Sequence, residues 1–272
     1  TWKPHPEAIA RDDVPQGKIE RMEPFADSKV FPGTTRDWWI YVPAQYDASK
    51  PAALMIFQDG ERMKAKARWR VPTVFDNLIA SGDMPTTIAV FINPGHDLDK
   101  PRVKNKSSNR GLEYNSLGDR YARFLMEEIM PEVEQRYSIS KDPKMRAIAG
   151  SSSGAICAFT VAWEMPEQFQ RVFTSAGSFT HLRGGNLYPA LIRKTEPKPI
   201  RIYMASTSGD VDNAFGSWPI ANQRMASSLQ YMGYDVRFEW AEGFAHNADF
   251  GSRQFPEAMK WLWRDETHVP SV

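Results

Sequence analysis

The sequence holds a single cysteine, Cys157, in 272 residues. One thiol excludes an internal disulfide framework and a Cys-rich zinc site, and it leaves the redox compartment open because many exported proteins carry no disulfide. Net charge of one sign is equally scarce: 34 Lys and Arg stand against 33 Asp and Glu, a formal charge of +1. No global field is available to hold a phosphate backbone or an acidic bilayer, so neither nucleic acid nor membrane is an expected partner. No apolar run approaches the roughly 20 residues needed to span a bilayer. The opening Thr1-Trp2-Lys3-Pro4-His5 lacks both a Met start and a signal-like apolar core, so the chain is expected to begin after a removed segment.

What is present fits one large globular domain, with 42% hydrophobic and 25% charged residues and little room for a second folding unit. The first stretch, to about Gly17, is Pro-rich and charged without periodicity, and residues 1–30 read as an arm lying on a domain of residues 31–272. From Arg36 onwards short β-rich apolar runs alternate with helical patterns, the mark of βαβ units and a mostly parallel sheet with helices on both faces. The expected strands are 38–42, 53–58, 87–93, 145–149, 171–175, 200–205 and 236–240. A helix over 119–137 follows from Tyr121, Leu125, Ile129 and Val133 recurring every four residues, and Pro131 should kink it. Another follows Pro219, with Met225, Leu229 and Met232 on one face and Gly233 placed for a left-handed cap. Lys100, Arg102, Lys104, Lys106 and Arg110 form the one notable charge cluster, which a solvated loop explains by default.

The run Gly150-Ser151-Ser152-Ser153-Gly154 is a G-x-S-x-G between an apolar strand and a helical run. That context is the one a nucleophile elbow requires: the turn is strained and neighbouring backbones approach closely, which small residues two before and two after the serine permit. Only Ser152 of the three serines has both glycines. The helix starting near Ser153 would aim its free N–H groups at the point where an oxyanion forms. The plain alternative is a flexible turn of small residues. Cys157 is expected to be a buried packing residue.

In an α/β-hydrolase the acid and the histidine follow the serine in the chain. Three histidines do so. His246 lies in a loop past the last expected strand, where an imidazole can reach back to Ser152; His181 is placed to line a pocket and His268 to lie on the surface. For the acid, Ser206-Thr-Ser-Gly-Asp210-Val-Asp212 offers two carboxylates; Asp210 is preferred and Asp212 stands second, with an Asp turn that caps local N–H groups as the alternative for either. Glu242 and Asp249 are too near His246 in sequence to reach it productively. One oxyanion donor is expected from the Ser153 N–H and a second from the Gly60–Glu61 region after strand 53–58, which is otherwise an ordinary Asp-Gly turn. Trp218, Phe215, Phe179, Tyr114 and Trp69 fall in loops near the sheet edge and offer stacking surfaces, although any one of them is more often core. No metal-ligand pattern accompanies them.

Phe57-Gln-Asp-Gly60, Glu113-Tyr114, Asp119-Arg-Tyr-Ala-Arg-Phe, Arg146 to Gly154, Gly177-Ser-Phe, Arg183-Gly-Gly, Trp218-Pro-Ile-Ala-Asn-Gln and Trp261-Leu-Trp-Arg264 together resemble an esterase family of the α/β-hydrolases, from about Trp38 to Trp263. That family contains carbohydrate esterase family one, with feruloyl and acetylxylan esterases, and the enterochelin-esterase-like hydrolases. The resemblance implies a Ser-Asp/Glu-His esterase without metal or organic cofactor. It supports Ser152 and His246, and by position favours Asp210, where relatives tend to read Asn-Asp-Leu-Asp/Asn against Gly209-Asp-Val-Asp212 here. Phe244-Ala245 replaces the Gly-Gly that often precedes the histidine. Many relatives are exported, which makes a secreted or periplasmic site an expectation. The expected function is hydrolysis of feruloyl or acetyl esters on plant polysaccharide, with a carbohydrate-linked ester as partner. The rivals are a siderophore esterase, an acyltransferase and a non-catalytic binding module. Oligomeric state is not legible.

Overall fold

A computed structural model describes residues 2–103 and 106–267; Lys104 and His268 lie outside them. Eight strands build one sheet: β1 Lys18–Arg21, β2 Trp38–Val42, β3 Ala53–Gln58, β4 Thr87–Ile92, β5 Arg146–Ser151, β6 Arg171–Ser175, β7 Arg201–Thr207 and β8 Asp235–Ala241. Their spatial order is β1-β2-β4-β3-β5-β6-β7-β8. From β4 to β8 all pairings are parallel, while β1 and β2 are antiparallel additions at one edge. This is the mostly parallel α/β sheet expected from the sequence.

The helices are α1 Gly60–Lys64, α2 Val71–Ser81, α3 Arg110–Asn115, α4 Arg120–Phe124, α5 Met130–Arg136, α6 Ser153–Glu164, α7 Tyr188–Lys194, α8 Trp218–Tyr231 and α9 Asp249–Leu262. They cover both faces, so the central strands are buried on both and read as continuous apolar runs. Alternation still sorts the side chains: Leu54 and Ile56 of β3 enter the core beneath α6 and α8, whereas Met55 and Phe57 enter the core beneath α2 and α9. α6 is buried along 11 of its 12 residues, which explains its lack of a polar face.

The positions of the sheet strands agree with the sequence reading to within two residues; one strand of the sheet, β1, and two short two-residue pairings were missed. β1 carries Lys18, Glu20 and Arg21 and is exposed throughout, so it shows no apolar period; backbone pairing to β2 alone makes it a strand. Before β1, the carbonyls of Glu7 and Ile9 accept from Asn77 Nδ2. The helix expected over 119–137 is interrupted: a π-turn at Leu125–Ile129 separates α4 from α5 directly before Pro131. A proline ring displaces the carbonyl four residues earlier, and the wider turn accommodates it. α8 ends as expected, Gly233 being left-handed with its N–H on Gln230 while the Tyr234 N–H reaches Leu229.

Candidate active site

Among the described residues four non-glycines have positive φ, and three of them, Asp59, Ser152 and Ala176, stand just past the carboxyl ends of the adjacent strands β3, β5 and β6. Strained backbone concentrated at one sheet edge marks a candidate site. Ser152 has φ 59° and ψ −123° between β5 and α6. Its N–H donates to the Ser175 carbonyl at 2.9 Å. A side chain at Gly150 would meet the Gly154 carbonyl oxygen at 2.1 Å, so the elbow closes only without one.

β7 and β8 are parallel and in register to their ends, Thr207 opposite Ala241, so the loops that follow leave the sheet side by side. They are then laced together. Ser208 N–H donates to Ala241, Thr207 Oγ1 donates to the Phe244 carbonyl at 2.7 Å, and Gly243 N–H donates to Ser208 Oγ. Gly209 packs against the same Phe244 carbonyl, which a Cβ would approach to 2.7 Å. The lacing sets Asp210 against His246: Nδ1 of the imidazole contacts Asp210 Oδ1, and Nε2 lies 2.9 Å from Ser152 Oγ. With Nδ1–H donating to the carboxylate, Nε2 is the acceptor for the Ser152 hydroxyl. Asp210 is fully buried, and its Oδ1 also accepts the Val211 N–H.

Other candidates are placed elsewhere. Asp212 is exposed in a small hairpin pairing Asp212–Asn213 with Gly216–Ser217. Glu242 accepts from Trp240 Nε1, and bonds from Ser208 and Trp240 hold its carboxyl below the ordinary range. Asp249 pairs with Arg68 at 2.7 Å. His181 is exposed and lines a shallow pocket of about 160 Å3 with Phe215, Ile220 and Arg224.

Two expectations for the pocket are corrected. Tyr114 has 0% exposure and presents no face to a ligand, and Phe179, at 1%, is packed in the core where it borders the His181 pocket rather than standing free as a stacking surface. Phe179 packs edge-on against Phe159 and Tyr188, while the Tyr114 hydroxyl accepts the Asp59 N–H at 3.0 Å. Trp69 is likewise buried, against Phe173 and Phe255. Trp218 is 5% exposed but stays at the site, its ring edge-on to the His246 imidazole with 6.1 Å between centroids.

In the turn after β3, Glu61 N–H is taken by Asn93 Oδ1 at 3.0 Å, so Glu61 is corrected as an oxyanion donor. Asp59 N–H is taken as well. Among the described residues no side chain accepts the Gly60 N–H, and Ser153, first in α6, has a free one by its helical position. The two segments touch, since a Cβ on Gly154 would lie 3.2 Å from Gln58 and 3.4 Å from Asp59 Oδ2. Arg110 grips both Asp59 carboxylate oxygens, at 2.9 and 2.7 Å. Burial opposes its charge, but Asp59 outweighs that and raises its pKa.

Sequence reasoning missed the Arg110–Asp59 clamp, having assigned Arg110 to a solvated loop. It also missed Ser178, whose Oγ lies 3.3 Å from Ser152 Oγ; its Gly177-Ser-Phe context past β6 was the available signal. Burial pushes the Cys157 thiol far above its ordinary range, as suits a packing residue. No group of three or more His, Cys, Asp or Glu able to hold a metal occurs among the described residues, and no described helix is long and apolar enough to cross a membrane.

The sheet order and elbow define an α/β-hydrolase fold. The chain belongs to the esterase family whose model, described as "Putative esterase", matches residues 29–266. The structure is similar to the enterobactin esterase of Shigella flexneri, with TM-score 0.73 and 17% identity over 98% of this chain and 64% of that one. It is also similar to a CE1 ferulic acid esterase of the anaerobic fungus Anaeromyces mucronatus, with TM-score 0.70 and 19% identity over 95% of each chain. In sequence it is 24% identical over 248 residues to an endo-1,4-beta-xylanase/feruloyl esterase of Xylanibacter ruminicola, covering 87% of this chain and 30% of that protein. The chain thus spans less than two thirds of the enterobactin esterase and less than a third of the xylanase/feruloyl esterase.

Proposed function

We propose that the protein is a serine esterase that hydrolyses carboxylic esters through an acyl-enzyme on Ser152. The observation that carries this is the continuous contact from Asp210 through His246 to Ser152 Oγ, on a strained elbow at a helix N-terminus. His246 takes the Ser152 proton as Oγ attacks the ester carbonyl, and Asp210 holds the imidazole tautomer and the imidazolium that forms. The N–H groups of Ser153 and Gly60 are the donors we assign to the developing oxyanion. The imidazolium protonates the departing alcohol. Water, activated by His246, then releases the acid. No step requires a metal, so chelation should leave turnover unchanged.

The substrates we propose are feruloyl or acetyl esters on plant polysaccharide, with the enzyme acting outside the cytoplasm where such polymers are met. Feruloyl esterases recur among the relatives in sequence and in fold. One observation favours a second reading, an anionic siderophore ester. A cleft of about 400 Å3 is lined by Arg36, Arg62, Arg102, Lys106 and Arg110 against the carboxylates Asp37, Asp59 and Glu61, and Arg62 and Lys106 make no ion pair among the described residues. Cations at a cleft raise the local concentration of an anion.

Hydrolysis of p-nitrophenyl acetate, methyl ferulate, acetylated xylan and enterobactin by wild type and Ser152→Ala tests both readings. Wild type should cleave at least one, with a loss of about a thousandfold or more in the variant. Equal activity or equal inertness of the two proteins refutes the serine assignment.

A further inference from the structure

We infer that Ser178 is a second hydroxyl of the reaction centre, donating a hydrogen bond to Ser152 Oγ and assisting its departure when the acyl-enzyme breaks down. This rests on the serine-esterase reading above. Ser178 follows β6, is 1% exposed, and is held by its own N–H on the Ser152 carbonyl at 3.2 Å. Its Oγ meets two side chains: Trp218 Nε1 at 3.0 Å and Ser152 Oγ at 3.3 Å.

A serine hydroxyl has one proton to give and two lone pairs to receive with. Indole N–H can only donate, so Trp218 occupies one lone pair of Ser178 and leaves the Ser178 proton to find an acceptor. Ser152 Oγ is the acceptor in reach among the described residues, and it is open to that proton because its own goes to His246 Nε2. Trp218 therefore orients Ser178 O–H towards the nucleophile.

The direction of this bond decides which step it helps. Ser152 Oγ accepts well as a hydroxyl, and poorly once it is the bridging oxygen of an ester, so acylation gives the bond up. In deacylation a water adds to the acyl carbon and passes its proton to His246. The C–Oγ bond then breaks, its electron pair goes to Ser152 Oγ, and His246 returns the proton there. The Ser178 bond reforms as charge gathers on that oxygen. An interaction stronger in the transition state than in the acyl-enzyme accelerates that step alone. One hydrogen bond of this kind corresponds to about tenfold in rate.

Pre-steady-state hydrolysis of p-nitrophenyl acetate reads the two steps separately. Ser178→Ala should lower deacylation about tenfold and leave acylation unchanged or up to about threefold faster, so that kcat and KM fall together while kcat/KM holds or rises by that same factor. A role confined to packing Trp218 against His246 would instead lower kcat/KM. Adding Trp218→Phe to Ser178→Ala removes the stranded indole N–H, and the deacylation loss should persist; its recovery would overturn the proposal. Ser178→Cys, close in size and a weaker donor, should fall between alanine and wild type, and serves if the alanine variant does not fold. Wild-type deacylation in both Ser178 variants, or a fall confined to kcat/KM, overturns the proposal. Ser152→Ala, run alongside, separates the two claims: if it turns over, the serine reading fails whatever Ser178 does.

Discussion

Replacing Gly150 by alanine builds a methyl group 2.1 Å from the Gly154 carbonyl oxygen, 2.2 Å from its carbon and 2.8 Å from the Ala155 nitrogen. All three are backbone atoms of the first turn of α6, so no side-chain rotation relieves the contact. The turn must retreat by nearly an ångström to reach the 3.0 Å that real Cβ contacts respect. α6 is packed on nearly every side and cannot move as a unit without disturbing both β5 and β6. Overpacking of this kind costs about 1–3 kcal/mol, and a rigid backbone clash belongs at the upper end. For a domain of this size that is a fall of roughly 5 °C in melting temperature. The other glycine of the motif supplies the control. A Cβ on Gly154 meets Gln58 Cβ at 3.2 Å and Asp59 Oδ2 at 3.4 Å, neighbours that need give by only tenths of an ångström. Gly154→Ala should therefore cost less than about 1 kcal/mol. Thermal unfolding of both variants, with fluorophosphonate labelling to read the elbow, should show Gly150→Ala destabilised and poorly labelled, and Gly154→Ala close to wild type in both. Equal losses in the two variants, or a harmless Gly150→Ala, would refute the steric account of the elbow.

Two further outcomes follow from groups outside the elbow. Arg36 and Glu113 form a fully buried pair at 2.6 and 3.0 Å, completed by Thr34, Asn109 and the Gly95 N–H, with the guanidinium 4.1 Å from the Phe124 ring centre. Glu113→Gln leaves a buried cation without its charge partner and should cost about 3–5 kcal/mol, measured by urea unfolding, while Arg36→Met in the same chain should restore part of it; equal stability of the single and double variants would contradict this. Asp76 accepts from the Tyr41 hydroxyl at 2.6 Å and the Gly17 N–H at 2.8 Å, yet burial outweighs both and raises its pKa above 3.8. The folded state therefore holds that proton more tightly than the unfolded chain, and its contribution to stability falls as pH rises from 3.8 through the raised value, then stays constant. Unfolding at a series of pH values should show Asp76→Asn gaining on wild type across that window and not above it.

Much of the fold was legible because buried strands are apolar runs, as β2 to β7 are, while the edge strand β8 alternates apolar with charged side chains. β1 shows neither pattern: its charged side chains face solvent, and only the open edge of β2 makes it a strand. The elbow was legible for a local reason too, since a strand, two flanking glycines and a helix stand consecutively in the chain. Chain order then narrowed the histidine to three and the acid to a short loop.

The sequence by itself determined the sheet, the position of the sharp turn at Ser152 and the loops in which its partners had to be sought. Tertiary structure alone decided the contacts. Asp210 and Asp212 are two residues apart and alike in sequence, but the lacing of the loops past β7 and β8 buries one against His246 and leaves the other in solvent. Tyr114 and Phe179 occupy loop-edge positions in the chain, yet they fill the core because the helices behind them close over the space. Ser178 reaches Ser152 across 26 residues because β5 and β6 are neighbours that end together. Side-chain periodicity records which face of an element is buried; which atoms meet at the end of a sheet depends on strand register and loop path, and those exist only once the chain has folded.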